Sequence, residues 1–459
     1  MGISRSFTPF QSVFSAKPLK KTGERRRKRF LSPPPGDLGG CLLGRKYVIE
    51  LMIQSTKARV FSLCLCAFVA ISFRRFCLKR FIILGSTGSI GRSSLDVVKS
   101  NPDHFRAAGL SAGSSVDRLC EQILAFNPEA VSMGGLDAAR EVRSRVGSRT
   151  RVYEGFEGMI EMIRSLDVDA VVNGLVGSVG VLPTLEALKS GKDVLLANKE
   201  TMVMAGSQVM ETARRSCKRI VPIDSEMSAV YQCLKGAGPR TLKRIILTAS
   251  GGPFVDYPIE KLRTVTVEQA LNHPIWAMGV KNTIDSASLM NKGLEVIEAS
   301  RFFDVPASAI DVAIHRDSIA HSLVEFIDGS LLCQLSKPDM RLAIQYAMTD
   351  PERLPSPYGG LDFSVPFSLT FEPPDTERFP CLALAFEVLE RGGTAPAAMN
   401  GADERAVEAF VQGDISFMEI ADAIRHVVDN HTFIPEPTID QLIETDREVK
   451  RSMSVLVKS

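Results

Sequence analysis

From residue 79 onward, short apolar runs alternate with longer stretches in which apolar positions recur at helical spacing, a pattern that predicts an α/β fold on a parallel sheet. The first run, Lys79–Leu84, predicts a strand, and Ser94-Leu95-Asp96-Val97-Val98 carries the spacing of the helix after it. Further strands are predicted at Ala107–Ala112, Asp169–Asn173, Asp193–Ala197 and Arg219–Ile223, each ending in glycine or polar residues. From about Lys243 the pattern changes, with strands predicted at Lys243–Thr248, Val312–His315 and Ser330–Gln334. Residues 350–375 are rich in proline and glycine and predict a linker. Beyond them Leu382–Leu389, Asp403–Phe410 and Met418–Val428 have helical period. The expected organisation is a doubly wound domain over 79–225, an α/β domain over 226–349, a linker over 350–375 and a helical domain over 376–459, with no internal repeat.

Residues 1–78 do not read as part of this pattern. Residues 1–80 carry 17 Lys and Arg against 3 Asp and Glu, so the net charge of +2 conceals an acidic body behind a basic leader. That body gives no electrostatic reason to expect nucleic-acid binding. The basic run Arg25–Arg29 is read as a targeting or untranslated-like segment in preference to a nucleic-acid patch. Phe61–Phe73 is too short for a membrane span and too far along the chain for a secretory signal. Two readings of the leader stay open: an organelle transit segment, which places the protein in a plastid, or an over-extended start, with a cytoplasmic bacterial protein beginning at Met52 or later. The second is favoured because serine enrichment is modest. Nine cysteines without a CxxC pair argue against a disulfide framework and structural zinc, and suit a reducing compartment.

The first candidate chemistry follows the first strand. Gly85-Ser86-Thr87-Gly88-Ser89-Ile90-Gly91 is a glycine-rich turn into a helix, the arrangement that aims free backbone N–H groups at a pyrophosphate in a Rossmann-like domain. Its GxxGxxG spacing is looser than GxGxxG, and an ordinary βα turn is the plainer alternative. The second strand ends at Gly113-Ser114-Ser115, with no acidic residue to hold a ribose 2′-OH and with Arg118 close by. Small hydroxyls and a cation fit a 2′-phosphate better, so NADPH is expected over NADH.

Two polar clusters fall at expected strand ends, Asn198-Lys199-Glu200 and Asp224-Ser225-Glu226, where open parallel sheets bind ligands. Asp224 and Glu226 share a face in an extended segment, although a lone D-x-E is also common as a solvated loop pair. Ser250, in the turn Ala249–Pro253, could hold a phosphate with its hydroxyl and neighbouring N–H groups. The densest run is Asn272–Ala299, with His273, the only tryptophan (Trp276), Ser286, Asn291, Lys292 and Glu295. Hydroxyls, an amide and an ammonium suit an anion, and Glu295 would complete a three-carboxylate metal site with Asp224 and Glu226. The combination points to chemistry on a small phosphorylated molecule.

The stretches GSTGSIG, LLANKE, PIDSE, LTASGGPF, HPIWAMG, IDSASLMNKGLEVIEA and KPDMRLAIQYAM, in this order, resemble the 1-deoxy-D-xylulose 5-phosphate reductoisomerase family over residues 79–450. The resemblance implies an NADPH-dependent homodimer that rearranges the sugar phosphate on Mg²⁺ or Mn²⁺, by retro-aldol and aldol steps, and reduces the aldehyde to 2-C-methyl-D-erythritol 4-phosphate. It implies that Asp224, Glu226 and Glu295 hold the metal, that Ser250, Ser286, Asn291 and Lys292 hold the phosphate, and that Lys199 and Ser225 hold the substrate backbone. The segment of His273, Trp276 and Met278 would be a lid. Thr87, Gly88, Ser89 and Ile90 would line the pyrophosphate, Gly113, Ser114 and Ser115 the adenosine end, and Asn198, Glu200 and Gly279 the nicotinamide side.

The chain departs from the family at three places. Met227 replaces a histidine after the DSE motif and cannot donate a proton, Ile275 replaces an asparagine in the lid, and Ser115 replaces an asparagine in the adenosine loop without a lysine beside it. Against this reading stand a metal-free NADP oxidoreductase of similar layout, which three intact carboxylates disfavour, and an inactive homologue, for which Met227 is the only support.

Overall fold

The four residues from Phe81 to Leu84 are wholly buried, which identifies their strand as the centre of a sheet covered on both faces. In the computed structural model, which describes residues 78–456 except Pro239, this strand is β1 (Lys79–Leu84). The leader expected over residues 1–78 lies, apart from Leu78, outside the described residues. Around β1 are β2 (Phe105–Ala112), β3 (Ala130–Met133), β4 (Arg151–Glu154), β5 (Ala170–Asn173), β6 (Asp193–Leu196) and β7 (Ile220–Pro222). They form one parallel sheet in the order β4-β3-β2-β1-β5-β6-β7. The order reverses between β1 and β5, so the loops after these strands diverge and open a crevice at the carboxyl edge. The turn after β1 lies at that crevice. Gly91, on the first turn of the helix Ser89–Ser100, packs so closely on it that a Cβ would stand 2.3 Å from Gly85 O.

Four further strands, β8 (Leu242–Ala249), β9 (Ile310–Ile314), β10 (Ala320–Phe326) and β11 (Leu331–Leu335), make a second sheet in the order β11-β10-β8-β9. β8 and β9 run parallel, and the other pairings are antiparallel. One face of this sheet, the helix Met290–Phe303 and the C-terminal helices Pro380–Arg391, Ala395–Gln412 and Glu419–Asn430 contribute to one apolar cluster. Residues 350–375 hold no helix or named strand, although Glu372 forms a bridge with Ile314. The helix Met340–Thr349 sends Ile344, Ala347 and Met348 into the cluster of the seven-stranded sheet, so the chain returns to its first layer before the C-terminal helices begin.

The α/β fold with a parallel sheet matches the sequence expectation, but β3, β4 and β10 lie outside the predicted strands. β3 (AVSM) and β4 (RVYE) are four residues each, and polar residues break their apolar runs. β10 buries His321 and Ser322, polar residues that interrupt an apolar run. No helix among the described residues is long and apolar enough to cross a membrane.

Candidate active site

Asp224 and Glu226 reach the site from the start of one helix, not from the extended segment expected from their spacing. β7 ends at Pro222, and Asp224 is the N-cap of the helix Ser225–Cys233. Its Oδ1 accepts the N–H of Ser225, the first helical residue, at 3.1 Å. Glu226 follows in the first turn and accepts the Ser225 hydroxyl on Oε2 at 2.6 Å.

Glu295 comes from the helix Met290–Phe303 and is 1% exposed. The helices Val280–Ala287 and Met290–Phe303 meet at Leu289, whose φ of +58° is left-handed, a conformation that costs a non-glycine residue about 1 kcal/mol or more. Ser286, Asn291, Lys292 and Glu295, on the two sides of this corner, all line the same cavity.

One oxygen each from Asp224, Glu226 and Glu295 lies within 4.8 Å of the other two. Two buried lysines are laced through them. Lys199 Nζ lies 2.9 Å from Asp224 Oδ2, 2.9 Å from Glu295 Oε1 and 2.8 Å from Asn291 Oδ1. Lys292 Nζ lies 2.8 Å from Glu226 Oε1 and also bonds Glu295 Oε2. Burial alone would push both ammonium groups down. For Lys199 the carboxylates of Asp224 and Glu295, and for Lys292 those of Glu226 and Glu295, outweigh it and hold them above the usual lysine range. Three hard carboxylates against two ammonium groups leave one negative charge, which fits a divalent oxygen-seeking cation.

Ser250, His273 and Ser286 form a second group. His273 Nε2 lies 3.0 Å from Ser250 Oγ and 3.2 Å from Ser286 Oγ. Its Nδ1 accepts the N–H groups of Ile275 at 3.1 Å and Trp276 at 2.9 Å. An Nδ1 that accepts leaves the ring proton on Nε2, and burial pushes the imidazole below its usual pKa, so the neutral ring donates toward the serines. The same ring fixes the backbone of the 273–278 segment. Gly252 (φ +69°) lets the turn approach Ser286, since a Cβ there would stand 2.6 Å from Ser286 O.

The carboxylates, the two lysines, Ser250 and Ser286 surround a cavity of about 470 Å³, which also takes in Ser89 and Ile90 of the glycine turn, Ser225, and Ile275, Trp276 and Met278 of the expected lid, whereas His273 does not line it and reaches it only through the two serines. Asn198, Glu200 and Gly279 are not among the lining residues. Asn198 is a buried N-cap whose Nδ2 donates to Glu200 Oε2 at 2.8 Å and to the carbonyls of Leu175 and Gly177, both at 3.0 Å. Thr87 and Gly88 lie in the glycine turn, where Gly88 caps the helix Ser89–Ser100 without a side-chain bond and leaves its first N–H groups available. Gly113, Ser114 and Ser115 are exposed at the end of β2, and Arg118 reaches back to Thr87 O at 3.2 Å. Met227 is buried in the apolar cluster and does not line the cavity.

Sequence reasoning missed Asn282, Ser318, His321 and Arg341, which also line the cavity. Asn282 stands one helical turn before Ser286, a spacing that could have flagged it. It also missed Glu298, one turn beyond Glu295. Glu298 is wholly buried with neither carboxyl oxygen hydrogen-bonded among the described residues, and burial, followed by the charge of Asp224, raises it well above the usual carboxylate range.

The chain matches family models described as 1-deoxy-D-xylulose 5-phosphate reductoisomerase over residues 81–206, its C-terminal domain over 220–303, and DXP reductoisomerase C-terminal domain over 335–452. It is 48% identical over 382 residues to 1-deoxy-D-xylulose 5-phosphate reductoisomerase of Chlorobium phaeobacteroides, covering 83% of this chain and 100% of the relative. It is 46% identical over 380 residues to reductoisomerase 1 of Bacillus cereus, covering 83% and 99%. A crystal structure of DOX-P reductoisomerase with NADPH, fosmidomycin and magnesium superposes with a TM-score of 0.79 at 38% identity, covering 83% of this chain and 98% of that one. The enzyme of Zymomonas mobilis with NADPH gives 0.78 at 35% identity, covering 83% and 100%.

Proposed function

Because the chain belongs to the 1-deoxy-D-xylulose 5-phosphate reductoisomerase family, we infer that it converts 1-deoxy-D-xylulose 5-phosphate to 2-C-methyl-D-erythritol 4-phosphate with NADPH and a divalent metal. The observation that carries this reading is the convergence of Asp224, Glu226 and Glu295 within 4.8 Å, in one cavity with Ser250 and Ser286, at the edge of a parallel sheet.

When bound, the metal supplies Lewis acidity to the substrate's oxygens and NADPH supplies the hydride. The protein's part is binding and orientation. Asp224, Glu226 and Glu295 hold the ion, Mg²⁺ or Mn²⁺, and Lys199 and Ser225 orient the sugar backbone beside it. Ser250, Ser286, Asn291 and Lys292 hold the phosphate, with His273 directing its Nε2 proton toward the two serines. Thr87, Gly88, Ser89 and Ile90 receive the pyrophosphate, and Gly113 to Ser115 with Arg118 the adenosine end. Asn198 and Glu200 act from behind the nicotinamide side by fixing the loop at Leu175–Gly177, and Gly279 borders it. Residues 79–225 serve as the cofactor domain, 226–349 as the catalytic domain, 350–375 as the linker and 376–459 as the helical domain.

A phosphate grip of this kind makes the phosphate indispensable. Replacing 1-deoxy-D-xylulose 5-phosphate by dephosphorylated deoxyxylulose is expected to lower kcat/KM at least about a thousandfold, the loss of roughly 4 kcal/mol of charge-assisted bonds. Comparable rates on the two sugars would remove the phosphate assignment.

Trp276 is the chain's only tryptophan, and its ring lies 6.2 Å from that of His321 across the cavity. Closure of the 273–278 lid excludes water from the reacting aldehyde. Binding of a phosphonate hydroxamate substrate mimic is therefore expected to shift Trp276 fluorescence. An unchanged spectrum at saturation, with binding verified by calorimetry, would count against the lid.

The active form is a homodimer. The edge strand β11 and the turn before it expose Ile327, Leu331 and Leu332, an apolar edge that a second copy would cover. Light scattering is expected to give twice the chain mass, and Leu332→Lys is expected to weaken association. A monomeric wild type at micromolar concentration would contradict the assignment. We place the enzyme in a reducing compartment, the bacterial cytoplasm or, if residues 1–78 are a transit segment, a plastid, and N-terminal sequencing of the mature protein separates the two.

A further inference from the structure

Away from the cavity, a second cluster of buried charges lies where the helix Val280–Ala287 meets the helix Ala395–Gln412. Lys281 Nζ lies 2.5 Å from Asp285 Oδ2, 2.6 Å from Asp403 Oδ2 and 3.8 Å from Glu200 Oε1. Asp285 and Asp403 are wholly buried, and Glu200 is 3% exposed. Three carboxylates thus face one ammonium group in a junction closed to water, an imbalance that a low-dielectric interior relieves by taking up a proton. The oxygens locate it. Asp285 and Asp403 each give Oδ2 to Lys281, and each leaves Oδ1 without a hydrogen-bond partner among the described residues when both are counted as anions. Two bare carboxylates cannot bond each other, whereas a protonated carboxyl and a carboxylate can, and the two side chains converge on the same Lys281 Nζ.

We propose that Asp285 and Asp403 share one proton, and that this acid pair clamps the helix Val280–Ala287 to the C-terminal helical domain and so positions the residues that grip the substrate's phosphate. The second half rests on the assignment of Ser286 to the phosphate. Lys281 and Asp285 are four residues apart, and Asn282 and Ser286 are the same spacing displaced by one residue. The clamped stripe and the stripe facing the cavity are therefore neighbours on one short helix. Asp403 lies on a different helix, more than a hundred residues away, and acts only through the clamp.

The groups facing the pair support a retained proton. Burial and then the charge of Asp403 raise Asp285, and burial raises Asp403 against the pull of Lys281. Glu200 approaches from the helix Lys199–Ser216, and Glu404, on the helix of Asp403, is itself paired with Lys450 at 2.7 Å. The thiol of Cys381, from the helix Pro380–Arg391, is pushed up by burial and then by the two aspartates.

Asp403→Asn tests the proton, because its amide can donate the bond without one. The folded wild type holds a proton that an unfolded aspartate, with a pKa of about 3.9, releases. Wild-type stability should therefore fall relative to the Asn variant as pH rises above about 4. The two melting temperatures are expected to lie closest near pH 4 and to separate in favour of Asp403→Asn toward about pH 8. A difference that stays constant with pH would overturn the shared proton. Asp403→Leu tests the positioning, with KM for the sugar phosphate expected to rise about tenfold while kcat stays within about twofold and Asp403→Asn keeps the wild-type KM. An unchanged KM in the Leu variant, or an equal loss in both variants, would overturn it. Absence of turnover in the wild type would instead fault the proposed function, and the melting curves would still report on the proton.

Discussion

Glu226→Gln is expected to lower kcat/KM about a thousandfold at saturating Mg²⁺, the loss of roughly 4 kcal/mol of metal-assisted stabilisation, while the Kd for NADPH stays within about twofold. Glu226 offers one carboxylate oxygen to the metal cluster and takes the Lys292 ammonium on Oε1 at 2.8 Å. The amide keeps the shape but removes the charge, so the two remaining carboxylates face two ammonium groups and the site no longer carries the negative charge that attracts a divalent ion. Changing a group that only orients a metal ligand already costs metal affinity about ten- to a hundredfold, and losing a ligand costs more. The glycine turn after β1 belongs to a separate strand-turn-helix unit, so NADPH binding should survive. Parallel loss of NADPH affinity would mean that the carboxylate site is misassigned.

Lys292→Met is expected to act on stability and catalysis together. Lys292 is 3% exposed and bridges Glu226 and Glu295. Removing one partner of a buried ion pair costs about 3–5 kcal/mol because the other charge is left without compensation. In metal-free buffer the variant should therefore melt several degrees below the wild type, and Mg²⁺ should recover much of the gap, since a divalent ion can replace the missing charge between the carboxylates. Catalysis should not recover in the same way. Lys292 is the single cation assigned to the phosphate, and kcat/KM should stay at least about a hundredfold below wild type at saturating Mg²⁺. A variant that melts like the wild type without metal would show that the lysine is not compensating the carboxylates.

The parts of the molecule legible in the sequence were those set by local rules. Phe81–Leu84 reads as a buried strand because all four residues are apolar, and the turn that follows reads as a cradle because its glycines recur where backbone must approach backbone. β10 was hidden because two of its buried positions, His321 and Ser322, are polar. The carboxylates of Asp224 and Glu226 were visible as a pair, but their meeting with Glu295 depends on a left-handed corner at Leu289, a conformation that leucine does not announce. The resemblance of seven stretches to one family supplied that long-range information, which periodicity could not.

Residues whose chemistry is internal were harder still. Asn198 and Glu200 follow β6 as a functional pair would, yet their side chains turn inward to a loop, a helix cap and Lys281. Met227 looked like a damaged catalytic position, but its side chain lies in the apolar cluster and the cavity keeps His321. Asp403 showed only as part of a helical period. Its partner Asp285 lies in another helix, and no spacing rule connects two charges more than a hundred residues apart.

The most direct measurement follows NADPH absorbance on mixing purified protein with 1-deoxy-D-xylulose 5-phosphate and Mg²⁺ or Mn²⁺, omitting each component in turn. Oxidation is expected only when substrate, NADPH and metal are all present, with one 2-C-methyl-D-erythritol 4-phosphate formed per NADPH consumed. Folded protein that shows no turnover in the complete mixture, or the same rate after chelation of the metal, would contradict the assignment of Asp224, Glu226 and Glu295 as the centre of the site.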